Sequence, residues 1–269
     1  SNLYALPGVD FACVPLKIVT DEQEYLDDGT LDAVDMARSL RTYKGKTSTS
    51  CPNVQIGWLL MRVRSRSLLP PSRAHCPAAT MLHCWQRKNT RKRTRRPVFL
   101  FWTACPPGRS CVCWQSVCGI SSGSGWSLTR SARAILAYHK HTHLLFSLES
   151  LANLARNGRV KPAVAAVARM LGIRVIGQAS EAGELDVLCK TRGEHGALER
   201  IVLELKEHGY TNGRLHISHC GNPAAAERLK HMVKAVFDGA KVDISECGGL
   251  CSYYAELGGL LVGYEDAEA

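Results

Sequence analysis

Acidic residues are missing from a long stretch of this chain, with none between Asp35 and Glu149. Inside that stretch, residues 61–134 carry 14 Lys or Arg, 6 of the 12 Cys and 4 of the 5 Trp. A net charge of +10 ordinarily points to a nucleic acid or an anionic surface. Outside the window, however, 20 basic residues stand against 24 acidic ones, so the charge is local and the rest is mildly acidic. Two compositions are joined in one chain.

Other absences narrow the function classes. No run of about 18 apolar residues occurs, which excludes a helical membrane span. Ser1-Asn2-Leu3 offers no basic leader, no signal-peptide core and no initiating Met, which suggests a fragment or a processed chain. Cys111, Cys113 and Cys118 lie near His75 and His83 without CxxC or zinc-ligand spacing. The six Cys outside the window form no disulfide framework, as expected in a reducing cytoplasm. There is no nucleophile elbow, P-loop or dinucleotide fingerprint. No catalytic residue, metal or cofactor is therefore expected.

What is present is ordinary α/β material. The 269 residues are 45% hydrophobic, enough for one large domain or two ordinary ones. Residues 142–177 read strand, helix, turn, helix, strand. Residues 143–146 are apolar, Ser147 is placed to cap a helix, and Leu148, Leu151, Ala152 and Ala155 keep helical spacing. Asn157-Gly158 stops that helix, Pro162 opens a second, Gly172 ends it, and residues 173–176 form a strand. Upstream, residues 11–19 predict a strand in which Pro15 favours an edge position. Thr30 is a plausible cap for a helix with Val34, Ala37 and Leu40 on one face.

Residues 46–53 are rich in hydroxyls. Thr49 and Ser50 there could donate to a carboxylate, though a Ser/Thr turn ahead of a helix is the plainer reading of this stretch alone. His139, His141 and His143 alternate and would share one strand face. With no carboxylate near them in sequence, a solvent-facing strand is favoured over a metal site. Downstream, Gly183 marks a hairpin, while Leu198, Ile201, Val202 and Leu205 mark a helix. Leu215 and Ile217 define a strand that ends at His219. Asn222-Pro223 opens a helix with Leu229, Met232, Val233 and Val236 as its buried stripe.

The segment FSLESLANLARNGRVKPAVAAVARMLGIRVIG resembles the DegV family of bacterial fatty-acid-binding proteins, through its element order and its Asn157-Gly158-Arg159-Val160 turn. The stretch SNLYAL, the acidic stretch VPLKIVTDEQEYLDDGTLD and the hydroxyl stretch KTSTSCPN are similar to further family motifs. The resemblance covers residues 1–58 and 138–264. It implies a two-domain DegV-like α/β fold, each domain a mixed or parallel sheet with flanking helices, divided as residues 1–140 and 141–269. It also implies a bound long-chain fatty acid whose carboxylate is held by Thr49, with Ser50 beside it. Arg159, Arg192 and Tyr254 become candidate head-group or partner contacts. Tyr254 stands where the family commonly has a His, so the head-group side loses a charge there. The partners implied are a long-chain fatty acid, a separate fatty acid kinase and transient membrane contact, with no nucleic acid.

The resemblance stops at the basic window, and the genetic code suggests why. Read one base earlier, residues 74–86 can encode Ser-Ala-Leu-Ser-Gly-Ser-Tyr-Asn-Ala-Ala-Leu-Leu-Ala, a pattern the family places here with a carboxylate-binding Ser. Trp102-Thr103 forces Leu-Asp in that frame, where the family has a strand ending in Asp-Ser. The window therefore reads as translated out of frame, and about 75 residues without apolar period are expected to pack poorly. A chain altered in this way is expected to bind lipid weakly. The alternative is a basic nucleic-acid or acidic-partner binder acting through residues 87–96.

Overall fold

A computed structural model describes residues 15–50, 137–138, 140–160, 172–179 and 185–266, together with the backbone of 81–84 and 99–102. The second helix expected at 162–171, the Gly183 turn, His139 and nearly all of the basic window, including residues 87–96, lie outside the described residues.

The chain begins with a small antiparallel sheet in the order β2-β1-β3, built from β1 (Leu16–Thr20), β2 (Glu24–Asp27) and β3 (Thr47–Ser50). Helix α1 (Ala33–Thr42) packs against it with Met36, Ala37 and Leu40 buried. Asp32 caps α1, its side chain accepting from the Asp35 amide at 2.8 Å. Thr30 is not the cap: its amide and hydroxyl both donate to Asp28, closing the turn before the helix. Pro15 precedes β1 rather than lying in it, so β1 is free to be the central strand with ladders on both sides. β4 (Met81–Cys84) and β5 (Phe99–Trp102) form a separate antiparallel pair.

The larger sheet holds six strands in the order β10-β9-β11-β6-β7-β8. In chain order these are β6 (Thr142–Leu148), β7 (Ile173–Ala179), β8 (Leu185–Arg192), β9 (Arg214–His219), β10 (Lys241–Glu246) and β11 (Leu260–Glu265). β9 and β10 are parallel and the remaining ladders antiparallel, so the sheet is mixed. The helices are α2 (Ala152–Arg156), α3 (Gly193–Glu207), α4 (Pro223–Val236) and α5 (Gly249–Ala255). α3 and α4 cover one sheet face with Leu198, Ile201, Leu205, Leu229 and Val233 buried against Leu145, Ile176, Ile217 and Val262. Val236 departs from the expected stripe: it closes the last turn of α4 and is 54% exposed.

Ser147 does not cap a helix. Ladders on both sides, Ser147 with Leu260 and with Ile176, carry β6 on to Leu148. The helix therefore begins only at Ala152, whose amide is taken by Ser150 Oγ at 3.1 Å. Its end is as expected. Gly158 has φ +66, and the Arg159 amide reaches back to the Leu154 carbonyl at 2.8 Å, a closure that needs a residue at ease in the left-handed region.

Candidate functional site

The end of the large sheet that carries the C-termini of β6, β9 and β10 also carries α5. This seven-residue helix is too short to persist alone. Its hold comes from the small sheet. Asp27, 2% exposed at the end of β2, accepts from the amides of Gly249 at 2.8 Å and Leu250 at 3.2 Å and so caps α5. A Cβ on Gly249 would stand 2.9 Å from Asp27 Oδ1, so glycine is what permits this approach.

The other end of α5 presents two tyrosines to β3. Side chains alternate along a strand, so Thr47 and Thr49 share a face. Tyr253 Oη donates to Thr47 Oγ1 at 2.7 Å and accepts from Asn157 Nδ2 at 2.8 Å. Tyr254 Oη lies 2.8 Å from Thr49 Oγ1. The two rings meet edge to face with centroids 5.0 Å apart. Tyr253 is 1% exposed and packs with Ile18, Met36 and Leu40, and burial pushes its phenol up. Tyr254 and Thr49 are half-buried, which leaves both hydroxyls within reach of a ligand.

Of the residues singled out from the sequence, then, Thr49 and Tyr254 are brought together. Ser50 is exposed and, by the same alternation, sits on the opposite face of β3 from Thr49. Arg159 is exposed at the turn after α2, and Arg192 is exposed between β8 and α3. Neither reaches the Thr49–Tyr254 pair through a described hydrogen bond.

Several residues of this site were not found by sequence reasoning. Thr47 was findable, since it stands two residues before Thr49 on a strand. Asp27 gave no signal and Asn157 was read only as a helix stop, because their partners lie far along the chain. Arg174 gave none either. It is 6% exposed and donates to Glu149 at 2.5 Å, Glu194 at 3.0 Å and the Gly258 carbonyl at 3.0 Å. Glu194 also receives Asn222 Nδ2 at 2.8 Å and pairs with Arg228. A cavity of about 440 Å³ lies beside this network, between Leu40 and Arg41 of α1 and the charged residues. Its wall mixes the charged Glu149, Arg174, Glu194 and Glu256 with the apolar Ala37, Leu40, Ile173 and Leu257.

A second buried apolar cluster adjoins Tyr254. Phe146, Leu148, Leu151, Val175 and Cys220 pack as one cluster with Tyr254, Leu257 and Leu261. Cys220, Cys247 and Cys251 belong to the same cluster; burial pushes the Cys220 thiol up to about 11 and the Cys247 thiol up as well. Cys220 and Cys247 are therefore packing thiols with little thiolate character.

His141 and His143 find the carboxylate that their own neighbourhood lacks. Asp266 arrives across the β6–β11 ladder, 3.1 Å from His141 Nδ1 and 2.9 Å from His143 Nε2. Among the described residues no group of three His, Cys, Asp or Glu is arranged to hold a metal ion, and no helix is long and apolar enough to cross a membrane. His219 ends β9, as its position suggested; it is buried, and among the described residues its Nδ1 has no partner.

Comparison with known proteins places this arrangement. A DegV domain-containing protein of Streptococcus pyogenes serotype M3 is 38% identical over 141 residues, 52% of this chain and 50% of that protein. This chain therefore spans about half the length of such relatives. A DegV domain-containing protein of Streptococcus pneumoniae R6 is 28% identical over 262 residues, 95% of this chain and 91% of that protein. Among solved structures, a Eubacterium eligens DegV family protein loaded with heptadecanoic acid superposes with a TM-score of 0.77 at 28% identity, covering 98% of this chain and 96% of that one. The Streptococcus pneumoniae Fatty Acid Kinase (Fak) B3 protein loaded with linoleic acid has a TM-score of 0.75 at 24% identity over 98% and 95% of the chains, a likeness of fold. Those neighbours are two-domain α/β proteins with the sheets and flanking helices seen here. The family profile described as an uncharacterised protein, DegV family, matches residues 121–266, and the chain belongs to the DegV family.

Proposed function

We propose that this protein binds a long-chain fatty acid and is itself no enzyme. It takes the acid up through transient membrane contact in the cytoplasm and presents the carboxylate to a separate fatty acid kinase. One observation carries the reading: the Thr49–Tyr254 hydroxyl pair opens onto an apolar cluster that includes Tyr254 itself. A carboxylate accepting from the two hydroxyls would have its hydrocarbon begin beside Leu257 and Leu261, partly buried members of that cluster. The names of the neighbours loaded with heptadecanoic and linoleic acid agree with this. Exposed Arg159 and Arg192 are the cationic contacts offered to the head group or the kinase, while Ser50, on the far side of β3, is left to solvent-side contacts. The domain division falls near residue 140, because every strand of the large sheet lies within 142–265.

The hold on the acid is weak in this chain. An out-of-frame window removes a second carboxylate Ser, and a lost donor in a buried site costs about 1–3 kcal/mol, or roughly five- to 150-fold in affinity. Native mass spectrometry of the purified chain, before and after titration with oleate, tests both statements. We expect no retained acid at first and one acid per chain after titration. A stoichiometric acid carried through purification refutes the weak hold, and no uptake at any concentration refutes the binding reading.

A further inference from the structure

The two faces of the six-stranded sheet are unlike. One packs the main apolar cluster beneath α3 and α4, with Ser147 and His219 as polar members of the row that holds Leu260. On the other, cross-strand register sets out rows. Phe146, Leu261, Ser218 and Ser245 stand side by side in one row, and Leu144, Gly263, His216 and Asp243 in the next. Each row is apolar on β6 and turns polar on β9 and β10. Gly263 adds no side chain of its own between Leu144 and His216.

His216 is buried to 9% exposure, and its Nε2 lies 2.8 Å from Ser245 Oγ. Ser245 Oγ is in turn 3.5 Å from Ser218 Oγ. Among the described residues, the other ring nitrogen, Nδ1, has no hydrogen-bond partner. A buried imidazole left half-satisfied on the face used for hydrocarbon needs an explanation. Burial lowers its pKa, so the ring is neutral near pH 7 and Nδ1 is either a donor or an acceptor. A hydroxyl group answers both cases. His216 stands three residues back along β9 from His219, roughly 10 Å at about 3.3 Å per residue, in the direction an acyl chain would run away from α5.

Resting on the fatty-acid reading above, we propose that His216, steadied by Ser245, reads a hydroxyl on the distal half of the acyl chain, so that the preferred ligands are hydroxylated fatty acids. Stearate and 10-hydroxystearate, titrated separately into the full-length chain by calorimetry, test this. The hydroxy acid should bind about tenfold tighter, the size of one well-made hydrogen bond. His216→Leu should abolish that preference while leaving stearate affinity unchanged, and His216→Gln, which keeps a polar group, should retain part of it. Equal affinities in the natural chain overturn the proposal, as does a preference that survives His216→Leu. If His216→Leu does not fold, an undiminished preference in His216→Gln and in Ser245→Ala overturns it equally. Binding of neither acid overturns the fatty-acid reading and this proposal with it.

Discussion

Thr49 Oγ1 and Tyr254 Oη lie 2.8 Å apart although 205 positions separate them in the chain. The contact joins the small sheet to the helix packed on the large one, and both partners are half-buried. Each hydroxyl can turn from the other to an incoming carboxylate without leaving a buried group unpaired.

Tyr254→Phe should therefore weaken fatty-acid binding about five- to tenfold with little loss of stability, since one partly exposed hydrogen bond is worth about 1 kcal/mol. Tyr253→Phe should do the reverse. Its hydroxyl is buried between Thr47 and Asn157; removing it takes a partner from buried Thr47 and one of two acceptors from Asn157, at about 1–3 kcal/mol. Urea unfolding and lipid titration of the two variants separate these outcomes. Equal effects on both readouts would contradict the assignment.

Asp27→Ala should cost about 1–2 kcal/mol through loss of the cap on α5. Because α5 carries both tyrosines, lipid affinity should fall as well. Asp27→Asn, which keeps an acceptor, should recover part of both losses.

Arg174→Met leaves Glu149 without its cation and Glu194 with Arg228 alone. Breaking a buried ion pair costs about 3–5 kcal/mol, and the low end applies here because both carboxylates remain partly in water. The midpoint of thermal unfolding is the readout. An unchanged midpoint would show that the network is held by Arg228 alone.

Burial holds His216 and His219 below the ordinary histidine pKa of about 6.5. The unfolded chain takes up protons more readily than the folded one below that pH. Stability is thus fully present above about pH 6.5 and lost as the pH falls. The urea midpoint should drop between pH 7.5 and 5.5, and His216→Gln should shrink the drop. A midpoint that rises on acidification would exclude this account.

Much of this was legible in the sequence, and the part that was not has a common cause. The apolar spacing of α1, the Asn157-Gly158 stop and the Asn222 cap are local signals, and each is where its spacing put it. The hydroxyl stretch read as a turn, yet residues 47–50 form strand β3, because their ladder partner β1 lies outside any local window. The alternation of β3 separated Ser50 from Thr49, although composition alone made them equivalent. Ser147 was misread because its helical neighbours were judged without the two ladders that extend β6. Asp27, Asp266 and Arg174 act on partners roughly 20 to 220 residues away, and no window of sequence holds both members of such a pair.

The cap that Asp27 places on α5 also bears on when the site comes into being. Seven residues do not hold a helix by themselves, and closing a loop of some 220 residues is a late and slow event on a folding pathway. The large sheet can be complete while the tyrosines still sample many positions. Lipid-binding competence is then acquired in a final docking step rather than inherited from either sheet, and a nascent chain stays blind to its ligand until its two ends have met.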